Sequence, residues 1–499
     1  MRYLLGYDIG SSSVKGALLD AATGRCLAAA FSPEEEMPIL APRPGWAEQD
    51  PEAWWKEVIT VTDKLRNIHP FGPGDIVGIG LSYQMHGLVC LDREGRVLRP
   101  AIIWCDSRAV ARGEAAVNAL GRDFCLDRYL NAPGNFTASK LSWVKENEPA
   151  VFEKIYKVML PGDYIACRMS GEMTTTVSGL SEGIWWDFRE QRIASDICGF
   201  YGYPEDLLCP VVPAFGEQVR LNAAAAQALG IAAGTPVTYR AGDQPNNAYT
   251  LGVLSPGEAA ATAGTSGVVY GVNDRIQSDP ASRVNTFVHV NHTPEQVRNG
   301  VLLCVNGTGI LYNWLKKNLA MDGYERMNEL AATVEPGAGG LLFLPFGNGA
   351  ERILENRDLG ASLVGLNFNI HTRAHMLRAA QEGIVYALRF GLEIMLEMGV
   401  EVTRVKAGAA NMFLSPVFRN IFASTTGAVI ELFRTDGAQG AARAAGVGAG
   451  YYAGYRESYI GMESAGVVEP DPTKRDRYET AYRRWKQELE KTLTTSAEA

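Results

Sequence analysis

The chain has 499 residues, more than one typical domain holds, so two or three domains are expected. It is 46% hydrophobic and 21% charged, an ordinary globular composition, and its net charge of −9 excludes a basic surface for nonspecific binding to nucleic acid or anionic membrane. Eight scattered cysteines without a C-x-x-C pair, no apolar run of about 18 residues and a strand at the very start lead us to expect a cytoplasmic protein without disulfide framework, structural zinc, membrane span or signal peptide.

The apolar run from Tyr3 to Tyr7 leads into Asp8-Ile9-Gly10-Ser11-Ser12-Ser13, and Val14 to Leu19 follows. The pattern predicts a strand, a tight turn and a strand. Gly10 lets main-chain N–H groups approach an anion, and the hydroxyls of Ser11, Ser12 and Ser13 add donors. Asp8 beside bound phosphates has an obvious task, holding Mg²⁺ directly or through water. Taken alone, an aspartate before a polar turn is also ordinary turn chemistry. Arg25 to Phe31 reads as a third strand. Asp50-Pro51 opens a helix with Trp54, Trp55, Val58, Val61 and Leu65 on one face and Asp50 as N-cap.

Ile76 to Leu81 is an apolar strand entering Ser82-Tyr83-Gln84-Met85-His86-Gly87. Gln84, Met85 and His86 supply an amide, an apolar wall and an imidazole, a kit for reading sugar hydroxyls; a lone histidine is more often structural. Asp92 to Gly95 is a hairpin turn before a strand from Val97 to Trp104. From about Gly121 to Arg220 the pattern suggests a helical insertion with irregular loops. Thr235 to Arg240 returns to strand and meets Gly242-Asp243-Gln244. A carboxylate on a strand-end turn is placed to accept a proton from a substrate hydroxyl. The competing role for Asp243 is N-cap of the next helix.

The second half repeats the first motif. Glu258 to Ala263 runs into Gly264-Thr265-Ser266-Gly267 and then Val268 to Tyr270, a second strand, Gly/Thr/Ser turn and strand. Two such hairpins suggest a duplicated architecture with nucleotide in the cleft between halves. His375 to Met398 is a long helix closed by Gly399. His371-x-x-x-His375 has metal-like spacing but lacks the following Glu, and no metal is expected there. Val402 to Ala407 is a strand entering Gly408-Ala409-Ala410-Asn411, where small side chains leave room for a flat base or for tight packing. Gly427 to Phe433 is another strand. Asp436 to Tyr452, rich in Gly and Ala, suits a helix packed close to backbone or ligand. In the tail, Tyr478, Tyr482, Trp485, Leu489 and Leu493 recur every three or four residues, an amphipathic helix that packs on the protein.

These segments, in this order, resemble the FGGY family of carbohydrate kinases. Further matching stretches are Trp46 to Pro51, Trp104-Cys105-Asp106-Ser107-Arg108, Phe136 to Trp143 and Leu160 to Tyr164. The resemblance implies an α/β protein of two actin/hexokinase-like (ribonuclease H-like) domains flanking a nucleotide- and sugar-binding cleft. It divides the chain into residues 1–245 with the sugar site and first phosphate hairpin, 246–455 with the second hairpin and adenosine loop, and a helical tail, 456–499. It implies ATP and Mg²⁺ as cofactors, and the Met85-His86 pair points to D-xylulose, phosphorylated at O5. Asp243 matches the catalytic base. Asp8 matches the aspartate near Mg²⁺ and the γ-phosphate. Gln84, Met85, His86, Trp104 and Gln244 fall at the sugar. Gly10 to Ser13 and Gly264 to Ser266 match the phosphate loops, and Gly408 to Asn411 the adenosine loop. Gln244 stands where many relatives have Asn. A homodimer is among the assemblies the resemblance allows. A kinase for another sugar or a sugar acid such as gluconate, and a nucleotide-driven switch on the same fold, stay open.

Overall fold

The computed structural model describes residues 1–498. Its principal strands are β1 (Tyr3–Ile9), β2 (Val14–Asp20), β3 (Cys26–Ser32), β4 (Ile76–Tyr83), β5 (Phe215–Arg220), β6 (Pro236–Gly242), β7 (Glu258–Ala263), β8 (Gly267–Asn273), β9 (Asn285–Val288), β10 (Asn299–Val305), β11 (Arg404–Gly408), β12 (Val429–Phe433) and β13 (Ser464–Val468). The helices that matter here are α1 (Pro51–Ile68), α2 (Thr137–Asn147), α3 (Val177–Glu182), α4 (Asp243–Thr250), α5 (Gly309–Asn318), α6 (Arg373–Glu397), α7 (Gly437–Gly448) and α8 (Arg475–Glu498).

Two sheets carry the fold. The first has six strands in the order β5-β6-β4-β1-β2-β3, and the second has seven, β9-β10-β8-β7-β11-β12-β13. In each, an antiparallel hairpin (β1 with β2, β7 with β8) leads into two parallel neighbours: β4 and β6 in the first sheet, β11 and β12 in the second. The duplication expected from the two hairpins is therefore a duplication of whole sheets. The hydroxyl-rich turns sit at corresponding corners, because each joins the first two strands of its sheet.

Helix α1 starts at Asp50, whose side chain accepts from the Glu52 N–H, and buries Trp54, Trp55, Val58, Val61 and Leu65 against the first sheet. The opposite face of that sheet is covered by α7, whose Ala438, Ala442 and Ala445 meet Leu4, Ala17 and Leu19. The approach is close enough to dictate glycine on the strands. A Cβ on Gly6 would fall 2.0 Å from the Ala438 carbonyl oxygen, and one on Gly80 1.9 Å from that of Ala441. The Gly/Ala-rich stretch is thus a helix packed on backbone.

Two readings need correction. Val97 to Trp104 forms only a two-residue strand, Ala101–Ile102, paired with Glu48–Gln49. Pro100 has no N–H to give a ladder, and Arg99 is drawn into ion pairs with Glu48 (2.5 Å) and Glu148 (2.7 Å). The insertion from Gly121 is largely helical, but its end, Phe215–Arg220, is an edge strand pairing antiparallel with β6.

The tail is built into the second half. Strand β13 pairs with β12, and Tyr478, Tyr482, Trp485 and Leu489 of α8 are buried in the core around α6. Trp485 is fully buried, and its indole N–H donates to the Phe343 carbonyl at 2.8 Å. Trp485→Ala is expected to destabilise the fold by about 3–5 kcal/mol. A denaturant midpoint unchanged from wild type would show α8 to be dispensable. Among the described residues no helix is long and apolar enough to cross a membrane.

Candidate active site

Asp8 lies at the end of β1, and the Ser82 hydroxyl at the end of neighbouring β4 donates to its Oδ1 at 2.7 Å. Its Oδ2 faces the first residue of α7: a Cβ on Gly437 would lie 2.8 Å away. Burial is the main force raising the Asp8 pKa, and Asp436 adds to it; Lys15 and the Ser82 bond oppose it. The Asn246 amide in α4 donates to the Gly437 carbonyl at 3.0 Å, so α4, α7 and β1 meet at this point.

Asp243 is the first residue of α4. The N-cap is Gly242, which has no side chain, so the carboxylate is not spent on capping. Burial first, then the Asp8 charge, push its pKa up to about 7, while the N–H and amide of Gln244 partly offset them. A carboxylate with a pKa near the working range is suited to general-base chemistry.

Met85 and His86 follow β4 and face the end of β6: a Cβ on Gly242 would lie 2.6 Å from Met85 Cγ. His86 Nδ1 lies 3.0 Å from the main-chain oxygen of Glu182, which assigns the proton to Nδ1 and leaves Nε2 as an acceptor. Burial and the Lys140 charge hold the imidazole pKa down to about 3, so the ring is neutral. Phe136 and Phe287 pack against it, with ring centroids 5.0 and 5.4 Å away. Phe287 is on β9, so the second half closes one side of this loop.

Gln84 and Trp104 stand differently. Gln84 is buried, and its amide donates to Gln49 Oε1 (3.3 Å) behind the cleft wall. The Gln49 amide in turn donates to the Ser11 carbonyl at 2.7 Å, tying Gln84 to the first hairpin. Trp104 is exposed and its indole N–H points at Ser11 Oγ, 3.4 Å away. In that hairpin the Gly10 N–H donates to the Ser13 carbonyl, and Ser12 is exposed.

The second hairpin is pinned to α5. Gly264 and Thr265 carbonyls accept from the Gly309 and Ile310 N–H groups at 2.8 and 3.2 Å, and Ser266 completes the turn. Beside it opens a cavity of about 540 Å³, whose walls include Gly264, Thr265, Gly309, Tyr312, Tyr324 and Asn411. The Tyr312 and Tyr324 rings are stacked, 6.1 Å apart and 15° from parallel. Of Gly408 to Asn411, Asn411 lines this cavity. Gly408 ends β11, the Ala409 N–H donates to the Phe433 carbonyl at 2.9 Å, and Ala410 precedes Asn411. The wall formed by residues 309–328 was not read from the sequence. Its signal was Asn306-Gly307-Thr308-Gly309, a polar Gly/Thr turn before an apolar run.

One short segment links the two regions. Phe433 contacts Ala409, and four residues on, Gly437 faces Asp8. Four residues span at most roughly 14 Å. The turn before Asn411 and the Asp8 corner are therefore joined by a segment no longer than that.

Asp8 also fits a cation. Its pKa is raised chiefly by burial, a cost to the charged form that a cation beside it would offset. Among the described residues no group of three or more His, Cys, Asp or Glu is arranged to cage a metal. His371 and His375 bond to neighbouring backbone and to Thr372 at the entry to α6.

The chain matches both family models: the N-terminal domain of the FGGY family of carbohydrate kinases over residues 3–249 and the C-terminal domain over 259–449. It is 31% identical to a xylulose kinase of Bacillus subtilis over 463 residues, covering 92% of this chain and 90% of the relative. It is 31% identical to a xylulose kinase of Escherichia coli, covering 89% and 90%. The solved structure of a xylulose kinase from Rhodospirillum rubrum superposes with a TM-score of 0.89 at 28% identity over the full length of both chains. Matched in both halves, over nearly its whole length and in three dimensions, the chain belongs to the FGGY family of carbohydrate kinases.

Proposed function

We propose that the protein transfers the γ-phosphoryl group of ATP to O5 of D-xylulose, giving D-xylulose 5-phosphate and ADP. The observation that carries the phosphoryl transfer is Asp243: a cleft carboxylate raised to about 7, beside Asp8 and next to the Met85–His86 loop. The names of the curated relatives support D-xylulose as the acceptor.

Asp243 accepts the O5 proton as O5 attacks the γ-phosphorus. The bond from that phosphorus to the β,γ-bridging oxygen breaks and ADP leaves. In this reaction class the protein chiefly positions groups and balances charge. Ser11, Ser12 and Ser13 on one side, in the turn that Gly10 closes, with Gly264, Thr265 and Ser266 on the other, supply donors to the phosphates. The cavity beside Asn411 takes the adenosine, with Gly408, Ala409 and Ala410 behind it. Asp8 would hold Mg²⁺, which when bound neutralises phosphate charge. Met85 walls the sugar, His86 Nε2 accepts from a sugar hydroxyl, and Gln244 and Trp104 border it. Gln84 acts from behind, through Gln49.

His86→Ala is expected to raise the KM for the sugar about tenfold, the loss of one hydrogen bond and its packing, and to leave the KM for ATP unchanged. Because the ring is already neutral, the sugar KM of the wild type should show no histidine titration between about pH 5 and pH 8. Equal rises in both KM values would remove His86 from the sugar site.

A sugar-acid substrate has one observation in its favour. Arg352, from the second half, reaches Phe136 (6.0 Å to the ring centroid) and acts on the His86 ring. A coupled assay against ketoses, polyols and D-gluconate decides between them. D-xylulose should give the highest kcat/KM; a higher value for D-gluconate would overturn the assignment.

A further inference from the structure

We propose that Glu182 is a positioning residue for sugar recognition: it holds His86 in the backbone conformation and ring tautomer that turn Nε2 toward the substrate. The inference rests on the sugar-kinase reading above. His86 has φ of 63°, the left-handed region that non-glycine residues rarely adopt, and it is the residue of Gln84–Gly87 that does so. Such a conformation persists only where its surroundings hold it.

Here the surroundings are specific. The His86 N–H donates to Glu182 Oε1 at 3.1 Å, and its Nδ1–H to the Glu182 main-chain oxygen at 3.0 Å. Its carbonyl accepts from Lys140 Nζ at 2.8 Å, and the same ammonium donates to the Ile103 carbonyl at 2.9 Å. Both polar groups of one main-chain residue are thus gripped by long side chains, one from α3 and one from α2. Glu182 and Lys140 are each fully buried. Burying such groups is costly, and well-packed apolar residues would serve stability as well or better.

Glu182 touches a second part of the site. Its Oε2 is buried and has no hydrogen-bond partner. It occupies the notch left by Gly242, where a Cβ would fall 2.6 Å from Oε2 and 2.6 Å from Met85 Cγ. Gly242 immediately precedes Asp243. One carboxyl group therefore sets the spacing between the sugar loop and the strand end that presents the proposed base. Burial first, and the neighbouring Asp163 and Asp243 charges, raise the Glu182 pKa well above the ordinary carboxylate range, while Oε1 accepts from the His86 N–H.

The test is a set of variants of the full-length enzyme, assayed with wild type run first on the sugar panel. Glu182→Leu should raise the KM for D-xylulose about tenfold or more and leave the KM for ATP within about twofold, with a fall in Tm because the His86 N–H loses its acceptor. Glu182→Gln, which keeps an acceptor at Oε1, should return the sugar KM to within about threefold of wild type. In a His86→Ala background, Glu182→Leu should add less than about twofold, because it acts through His86. A rise in both KM values together overturns the proposal and leaves a scaffold role. An additive effect in the His86→Ala background overturns it too. If Glu182→Leu does not fold, the same cycle is run with Lys140→Met, and a sugar KM changed less than about twofold overturns the proposal. If another sugar is preferred over D-xylulose, the functional reading fails, and the cycle run with that sugar still decides the role of Glu182.

Discussion

Asp243→Asn is expected to bind sugar and nucleotide normally and to lose roughly 10²–10⁴-fold in kcat. The amide keeps the shape of the first residue of α4 but cannot take the O5 proton. The wild-type profile should carry the same signature. With Asp243 titrating near 7, kcat/KM should rise with pH through about 7 as the carboxylate forms, then level off. The sign for stability is the reverse. Asp243 holds its proton more tightly folded than unfolded, so it favours the native state below about pH 4, and that contribution is lost as pH rises through about 7. Asp243→Asn should abolish the limb in the rate profile. A variant with kcat within about threefold of wild type and the limb intact would sink the assignment of Asp243 as base.

Asp8→Asn should raise the Mg²⁺ concentration needed for half-maximal activity by about tenfold or more, with the KM for the sugar unchanged. The carboxylate is anchored by Ser82 and closed in by Gly437, so an amide fits the same space without the charge. A second effect follows from the coupling between the two aspartates. The Asp8 charge is one of the causes that raise the Asp243 pKa, so removing it should move the acid limb of kcat/KM to lower pH. Titrating activity with Mg²⁺ at several pH values, with sugar affinity measured separately, reads both effects. Unchanged metal dependence with weakened sugar binding would reverse the roles given to Asp8 and to the sugar loop.

Much of this was legible in the residues because it is local. The two Gly/Ser/Thr hairpins pair strands only a few residues apart in sequence, so their alternating apolar residues and their turns carry the whole signal. Helix α1 announces itself by Asp50-Pro51 and one apolar face, and α6 ends just before Gly399, whose φ is 74°. The face of α8 was visible as Tyr478, Tyr482, Trp485 and Leu489, and all four are buried. Val97 to Trp104 misled because its apolar residues suit a strand while Pro100 and the ion-paired Arg99 do not.

By itself, then, the sequence determined the repeated hairpins, the strand-end carboxylates Asp8 and Asp243, and the elements whose period shows within a dozen residues. Only the tertiary structure decided which of these meet. It carried α7 back onto the first sheet, so that Gly437 closes on Asp8 from more than 400 positions away. It turned Gln84 inward to Gln49 and built the cavity beside Asn411 from α5 and the Tyr324 segment. It also set Glu182 and Lys140 around His86. These contacts join residues tens to hundreds of positions apart, and they are chosen by the order of strands in the sheets. No local period records that order, because a buried Glu, Lys or Gly has the same sequence neighbours whether it faces a sugar loop or only the core.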